Sequence, residues 1–209
     1  MIAAVISDFG GVLTTPLGNA FTAWSSESGV PLEELGKAMA AATERHGEHP
    51  LFVMERGEMT ETEFLSRLQT ELGDAHALDG MFDVWWGHLE RNPEAIELMA
   101  RCKARGLRMG MLTNNVREWE PRWRPMLPEL DEIFDVVVDS AFVGMRKPEA
   151  GIYELTVERL GGGLSADQCL FIDDMAINCE AAEALGMTAI VFEDAAQARR
   201  DVEAALAQR

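Results

Sequence analysis

Asp8 closes a short apolar run and is followed at once by Phe9-Gly10-Gly11. Adjacent glycines let a chain turn sharply and bring backbone N–H groups close to an anion, so a carboxylate placed there could act as a nucleophile toward a phosphate. Attack by one anion on another needs a compensating charge. A cation held by Asp8 with Asp173 or Asp174 would supply it, and two or three oxygen ligands completed by water suit Mg2+. Thr113 offers a hydroxyl, Asn114 a backbone or amide donor, and Lys147 a positive charge, so a phosphate clamp accompanies the nucleophile and the metal ligands.

Taken singly, each group has an ordinary explanation. An Asp at a strand end usually forms a turn, and an acidic pair ahead of a helix usually caps it. Thr113-Asn114 reads as a loop start, and Lys147 before Pro148 as a surface lysine at the start of a helix. What points to a site is their occurrence together, in order, at the ends of successive elements.

Those elements are short apolar runs at 2–6, 107–112, 133–138, 170–172 and 188–192. The runs do not alternate with polar residues, which predicts parallel strands buried on both faces. Helical patterns at 92–105, 149–160 and 175–185 separate the later runs, and Gly106 and Gly186 stand where a helix stops before the next strand. Strand alternating with helix predicts an α/β, doubly wound, Rossmann-like parallel sheet, in which ligands bind beyond the carboxyl ends of the strands where strand order reverses. Asp8, Thr113-Asn114, Asp139-Ser140 and Asp173-Asp174 all fall at such ends.

The interval 19–91 breaks the rhythm and reads as an inserted helical unit, leaving 1–18 and 92–209 as the core. Helices are expected over 33–45 and 60–72, the second opened by a capping box of Thr60 and Glu63. Trp24, Trp85 and Trp86 are expected chiefly in the packing of this insert, with pocket lining as the alternative and one of the Trp85-Trp86 pair facing outward. The four histidines lack metal-ligand spacing and are expected to be surface or packing residues.

Four segments together resemble the haloacid dehalogenase-like superfamily: Val5-Ile6-Ser7-Asp8-Phe9-Gly10-Gly11-Val12, Met111-Leu112-Thr113-Asn114, Arg146-Lys147-Pro148, and Leu170-Phe171-Ile172-Asp173-Asp174. The surrounding Val143-Gly144-Met145-Arg146-Lys147-Pro148-Glu149, with Asn178, Glu180-Ala181-Ala182 and Leu185-Gly186-Met187, is similar to the phosphatase domain of soluble epoxide hydrolases and to small sugar phosphatases. The resemblance spans the chain and places the helical insert where that family carries a cap.

It implies that Asp8 forms an aspartyl-phosphate, that Thr113, Asn114 and Lys147 hold the phosphate, and that Asp8, the Gly10 carbonyl and Asp174 bind Mg2+ with Asp173 assisting. The departure is Gly10. Phosphatases of the superfamily place there a second aspartate that protonates the leaving group and then activates water, a contribution of about a hundred- to ten-thousand-fold in rate. Its absence opens two alternatives: 2-haloacid dehalogenation, since halide leaves without a proton, and a non-catalytic member that binds a phosphorylated ligand or a protein. The acidic pair Asp173-Asp174 favours phosphate chemistry, because dehalogenases of the superfamily replace it with neutral residues.

Composition narrows the partners. A net charge of -18 argues against a nucleic-acid partner, whose binding draws on Lys and Arg displacing counterions, and against anionic membranes. Apolar runs stay below the roughly 18 residues of a membrane span, and the opening residues lack a basic leader. Three cysteines without C-x-x-C spacing suggest neither a zinc site nor a disulfide framework. A cytoplasmic protein acting on a small phosphorylated metabolite is the expectation.

Overall fold

The computed structural model describes residues 1–207. In chain order the elements are β1 (Ala4–Ser7), α1 (Leu17–Ser28), α2 (Leu32–His46), α3 (Pro50–Glu55), α4 (Glu61–Leu72), α5 (Met81–Gly87), α6 (Pro93–Ala104), β2 (Arg108–Thr113), α7 (Glu120–Trp123), α8 (Leu130–Ile133), β3 (Val136–Asp139), α9 (Ser140–Val143), α10 (Ala150–Leu160), β4 (Cys169–Asp173), α11 (Ala176–Ala184), β5 (Thr188–Val191) and α12 (Ala195–Ala207). The five strands form one parallel sheet in the order β3-β2-β1-β4-β5. Chain direction across the sheet therefore reverses at β1, with β2 on one side and β4 on the other.

Both faces of the sheet are covered, which explains the unbroken apolar runs. Val5, Met109, Met111, Leu170 and Ile172 point to one core with α6 and α12, whereas Ala4, Ile6, Leu112, Cys169 and Phe171 point to the other with α10 and α11. The third run differs from expectation at its start. Leu130 and Ile133 are buried on a helical turn, with Phe134 N–H donating to Leu130 O, so the strand begins only at Val136. An apolar pair at i, i+3 served a helix rather than a strand.

Between β1 and α6 the chain is helical. It leaves the sheet and returns along two strands of backbone lying side by side: Thr14 bridges Arg91, Thr15 N–H donates to Glu90 O, and Asn92 N–H donates to Leu13 O. α1 begins at Leu17 behind Pro16, and α4 carries the reciprocal Thr60–Glu63 capping box. Trp24 is buried in the helical packing. No helix among the described residues is long and apolar enough to cross a membrane.

Candidate active site

β1 and β4 pair in the register Ser7↔Ile172, so the residues that follow, Asp8 and Asp173, emerge together at the carboxyl edge where strand order reverses. Asp8 N–H donates to Ile172 O at 2.9 Å, and Phe9 N–H donates to Asp8 Oδ1 at 2.7 Å, which fixes the carboxylate as the chain turns. Carboxylate oxygens of Asp8, Asp173 and Asp174 all lie within 4.8 Å of one another.

Lys147 joins them from the loop before α10. Its Nζ is 2.8 Å from Asp8 Oδ1 and 2.6 Å from Asp173 Oδ2, and the side chain is 1% exposed. Asn114 sets this reach: its Nδ2 donates to Lys147 O at 3.0 Å and its Oδ1 accepts from Lys147 N–H at 2.8 Å. The Asn114 side chain is thus committed to the lysine backbone, which leaves its main-chain N–H as the group suited to an anion. Thr113, ending β2, is buried beside it.

The two neighbouring aspartates have different surroundings. Asp173 is fully buried; Oδ1 accepts from Met175 N–H and Asn178 Nδ2, each at 2.9 Å, and Oδ2 accepts from Lys147. Asp174 is half-buried, and a Cβ on Gly11 would collide with its carboxylate, so the glycine lets backbone and acid approach closely.

One ammonium faces three carboxylates, and titration reflects the imbalance. Burial pushes the Asp8 carboxyl well above its usual range; Lys147 opposes the shift while Asp173 and Asp174 reinforce it. Burial and then Asp173 raise Asp174. Burial disfavours the Lys147 charge, but Asp8 and Asp173 outweigh it and hold the ammonium above its normal value. A clustered set of hard oxygen donors short of positive charge fits a divalent cation such as Mg2+. Asp8 and the uncommitted Asp174 are placed to bind it directly, with Asp173 orienting Lys147.

Beside this cluster a cavity of about 80 Å³ lies between the sheet edge and the helical segment. Phe9, Gly10, Thr113, Asn114 and Asn115 form its floor, and Leu17, Phe21, Leu51, Glu55, Trp85, Trp86, Leu89 and Trp119 its walls. Trp85 is buried and Trp86 partly so, and both line this space; their Nε1 donors lack a hydrogen-bond partner. Glu55 and Trp119 were not among the residues singled out from the sequence. Glu55 ends a six-residue helix and Trp119 lies in the irregular passage after β2, so neither sits on a periodic pattern or at a strand end.

Among the described residues no histidine joins the cluster of Asp8, Asp173 and Asp174. His49 caps α3 and His88 Nε2 lies 2.7 Å from Glu27. Cys102, Cys169 and Cys179 are free and buried.

Comparison with known proteins extends this picture. The haloacid dehalogenase-like hydrolase family profile matches residues 2–186. The chain is 31% identical over 204 residues to Phosphatase MT3486 of Mycobacterium tuberculosis (strain CDC 1551 / Oshkosh), covering 96% of this chain and 92% of that one. It is 28% identical over 194 residues to sesquiterpene phosphatase astK of Aspergillus oryzae (strain ATCC 42149 / RIB 40), covering 91% and 90%. Mouse Acyl-CoA dehydrogenase family member 10 is 30% identical over 210 residues; the match covers 97% of this chain but 19% of that much longer protein.

Among solved structures, a predicted HAD-like hydrolase from Porphyromonas gingivalis superposes with a TM-score of 0.75 at 22% identity over the whole of both chains. A HAD family enzyme of Bacteroides thetaiotaomicron, in complex with magnesium and inorganic phosphate, gives 0.67 at 20% identity, covering 93% of this chain and 97% of that one. At these identities the structural likeness carries the fold.

Proposed function

The chain belongs to the haloacid dehalogenase-like hydrolase family, and from that premise we propose that it is a Mg2+-dependent phosphatase that cleaves a small phosphate monoester through an aspartyl-phosphate on Asp8. The observation that carries this reading is the cluster of Asp8, Asp173 and Asp174 within 4.8 Å, gripped by Lys147 at 2.8 and 2.6 Å. Neutral residues in place of the acidic pair would have favoured attack on carbon; an acidic pair favours a cation and a phosphoryl group.

In this reading Asp8, the Gly10 carbonyl and Asp174 hold Mg2+, which when bound offsets the negative charge of nucleophile and phosphate. Asp173 keeps Lys147 extended toward Asp8. Lys147, the Thr113 hydroxyl and the Asn114 backbone N–H take the phosphoryl oxygens, stabilising charge where it builds up during transfer. Asp8 attacks phosphorus, the bond to the leaving oxygen breaks, and water then cleaves the aspartyl-phosphate.

The helical segment 19–91 acts as a cap whose walls exclude water and select a small substrate. The cavity is mostly aromatic and aliphatic, so the organic part of that substrate is apolar rather than a sugar. Unpaired indole N–H groups of Trp85 and Trp86 suit an acceptor oxygen on it. That a relative is a sesquiterpene phosphatase supports an apolar alcohol. We place this reaction in the cytoplasm, with no nucleic-acid or membrane partner.

A panel of monophosphates tests the reading. Phosphate release that requires Mg2+, is lost in Asp8→Asn, and favours 3-methylbutyl or benzyl phosphate over glycerol or glucose phosphates is expected. Halide release from 2-haloacids without metal would transfer the assignment to dehalogenation, and ligand-induced thermal stabilisation without product would leave a binding protein.

A further inference from the structure

Gly10 leaves the nucleophile without the usual neighbouring carboxylate, yet the cavity over it is not devoid of acid. Of the residues that line it, Glu55 alone carries an ionisable side chain. It stands at the end of α3 and lines the same cavity as Gly10, Thr113 and Asn114.

The structure fixes Glu55 with unusual care for a residue on a short helix. Its backbone O accepts from Ser140 Oγ at 2.6 Å, tying α3 to the end of β3, and Ser140 Oγ also accepts from Asn115 N–H at 2.9 Å. Its carboxylate meets Arg146 Nε at 2.6 Å, and the Arg146 guanidinium stacks over Phe52 at 3.8 Å. Both side chains are largely enclosed, 13% exposed for Glu55 and 14% for Arg146. Arg146 immediately precedes Lys147, so the acid is referenced to the same loop that delivers the ammonium to Asp8.

We propose that Glu55 is the catalytic acid and base of this site, supplied by the helical segment in place of the missing side chain at Gly10. This rests on the phosphatase reading above. In the first step an Asp8 oxygen bonds to phosphorus, the bond from phosphorus to the alcohol oxygen breaks, and that oxygen takes the Glu55 proton to leave as a neutral alcohol. In the second step Glu55 carboxylate takes a proton from water, the water oxygen bonds to phosphorus, and the Asp8–phosphorus bond breaks. Phosphate departs and Glu55 is again protonated. Burial holds the Glu55 carboxyl above its ordinary range even against Arg146, Lys147 and Arg56, which favours the protonated form the first step needs.

Leaving groups distinguish this role from that of a simple latch between α3 and the core. An alkoxide needs a proton to depart, whereas 4-nitrophenolate does not. Glu55→Gln is expected to lower turnover of 3-methylbutyl phosphate by about a hundred- to ten-thousand-fold. The pre-steady-state burst of 4-nitrophenolate from 4-nitrophenyl phosphate should stay within a few-fold of the parent. Adding Gly10→Asp to Glu55→Gln should restore alkyl phosphate turnover, and Arg146→Met, which breaks the ion pair but keeps the acid, should not mimic Glu55→Gln. Equal losses on both esters, no loss on either, or an Arg146→Met that reproduces Glu55→Gln overturns the assignment while leaving the phosphatase reading intact. If the parent protein releases phosphate from neither ester, the phosphatase reading fails and the assignment falls with it.

Discussion

Lys147 and Asp8 meet at 2.8 Å in the interior, with the lysine closed off from solvent and shared with Asp173 at 2.6 Å. The pair makes the site a balance of charge, in which one ammonium bridges two carboxylates beside a third, Asp174, that it does not contact.

Removing the ammonium should show that balance directly. Lys147→Met leaves buried carboxylates without their counter-charge, a loss of about 3–5 kcal/mol for a broken buried pair. Millimolar Mg2+ should recover more stability in Lys147→Met than in the parent, because the cation then meets a more negative site. Denaturant melts with and without Mg2+ check this, and an equal Mg2+ effect on both proteins contradicts it.

The adjacent aspartates should behave differently. Asp173→Asn disturbs acceptance from Met175 N–H, Asn178 Nδ2 and Lys147, so a stability loss of about 2 kcal/mol or more is expected. Asp174 is raised by burial and by Asp173, with Lys147 and its own backbone alone opposing the shift. Asp174→Asn therefore leaves stability nearly unchanged while weakening Mg2+ binding at least about tenfold. Calorimetric Mg2+ titration beside thermal melts separates the two, and matching profiles for the two variants would refute the division of labour.

Neighbouring glycines give a second contrast. Gly11 has φ +79° and its Cβ would run into the Asp174 carboxylate, so Gly11→Ala should cost about 1–3 kcal/mol and impair Mg2+ binding. A Cβ on Gly10 meets only Leu17 methyls at 3.2 and 3.3 Å, the movable end of a side chain. Gly10→Ala should thus lose less than about 1 kcal/mol. Melting temperatures that rank the variants the other way round would show the Asp174 contact to be unimportant.

Asp139, at the end of β3, supplies a pH signature away from the cluster of Asp8, Asp173 and Asp174. Burial lifts its carboxyl to about 7; the Ala141 N–H opposes the shift and Glu120 adds to it. A carboxyl that binds its proton more tightly when folded favours the folded state at low pH. Its contribution is complete below the unfolded-state value, declines as pH rises from about 4 to about 7, and is lost above that, with a span of order 4 kcal/mol. Asp139→Asn keeps an oxygen to accept from Ala141 N–H and should melt higher than the parent at pH 8 but about equally at pH 4. Parallel stability–pH curves for the two proteins would show that Asp139 is ionised throughout.

Much of the site was legible because its parts lie at element ends, where local patterns report them. The apolar runs ending at Asp8, Thr113 and Asp173 marked the carboxyl edge, and the parallel register of β1 with β4 brings Asp8 beside Asp173. The third run, 133–138, misled at its beginning, since an apolar stretch of that length does not say that Ile133 still closes a helical turn begun at Leu130 before Val136 extends. The Thr60–Glu63 box was readable for the opposite reason: both partners lie within one turn, and the bonds form whatever surrounds them.

By itself the sequence determined the parallel sheet and singled out Asp8, Thr113, Asn114, Lys147 and the Asp173-Asp174 pair at its carboxyl edge, all carried by short-range periodicity and order along the chain. Tertiary structure alone decided how those groups divide their work. It ties Asp173 to Lys147 and Asn178 while sparing Asp174, commits the Asn114 side chain to the Lys147 backbone, and pairs Glu55 with Arg146, 91 positions away. Such choices depend on which buried polar groups find partners once the helical segment packs onto the sheet, and no local pattern encodes that competition.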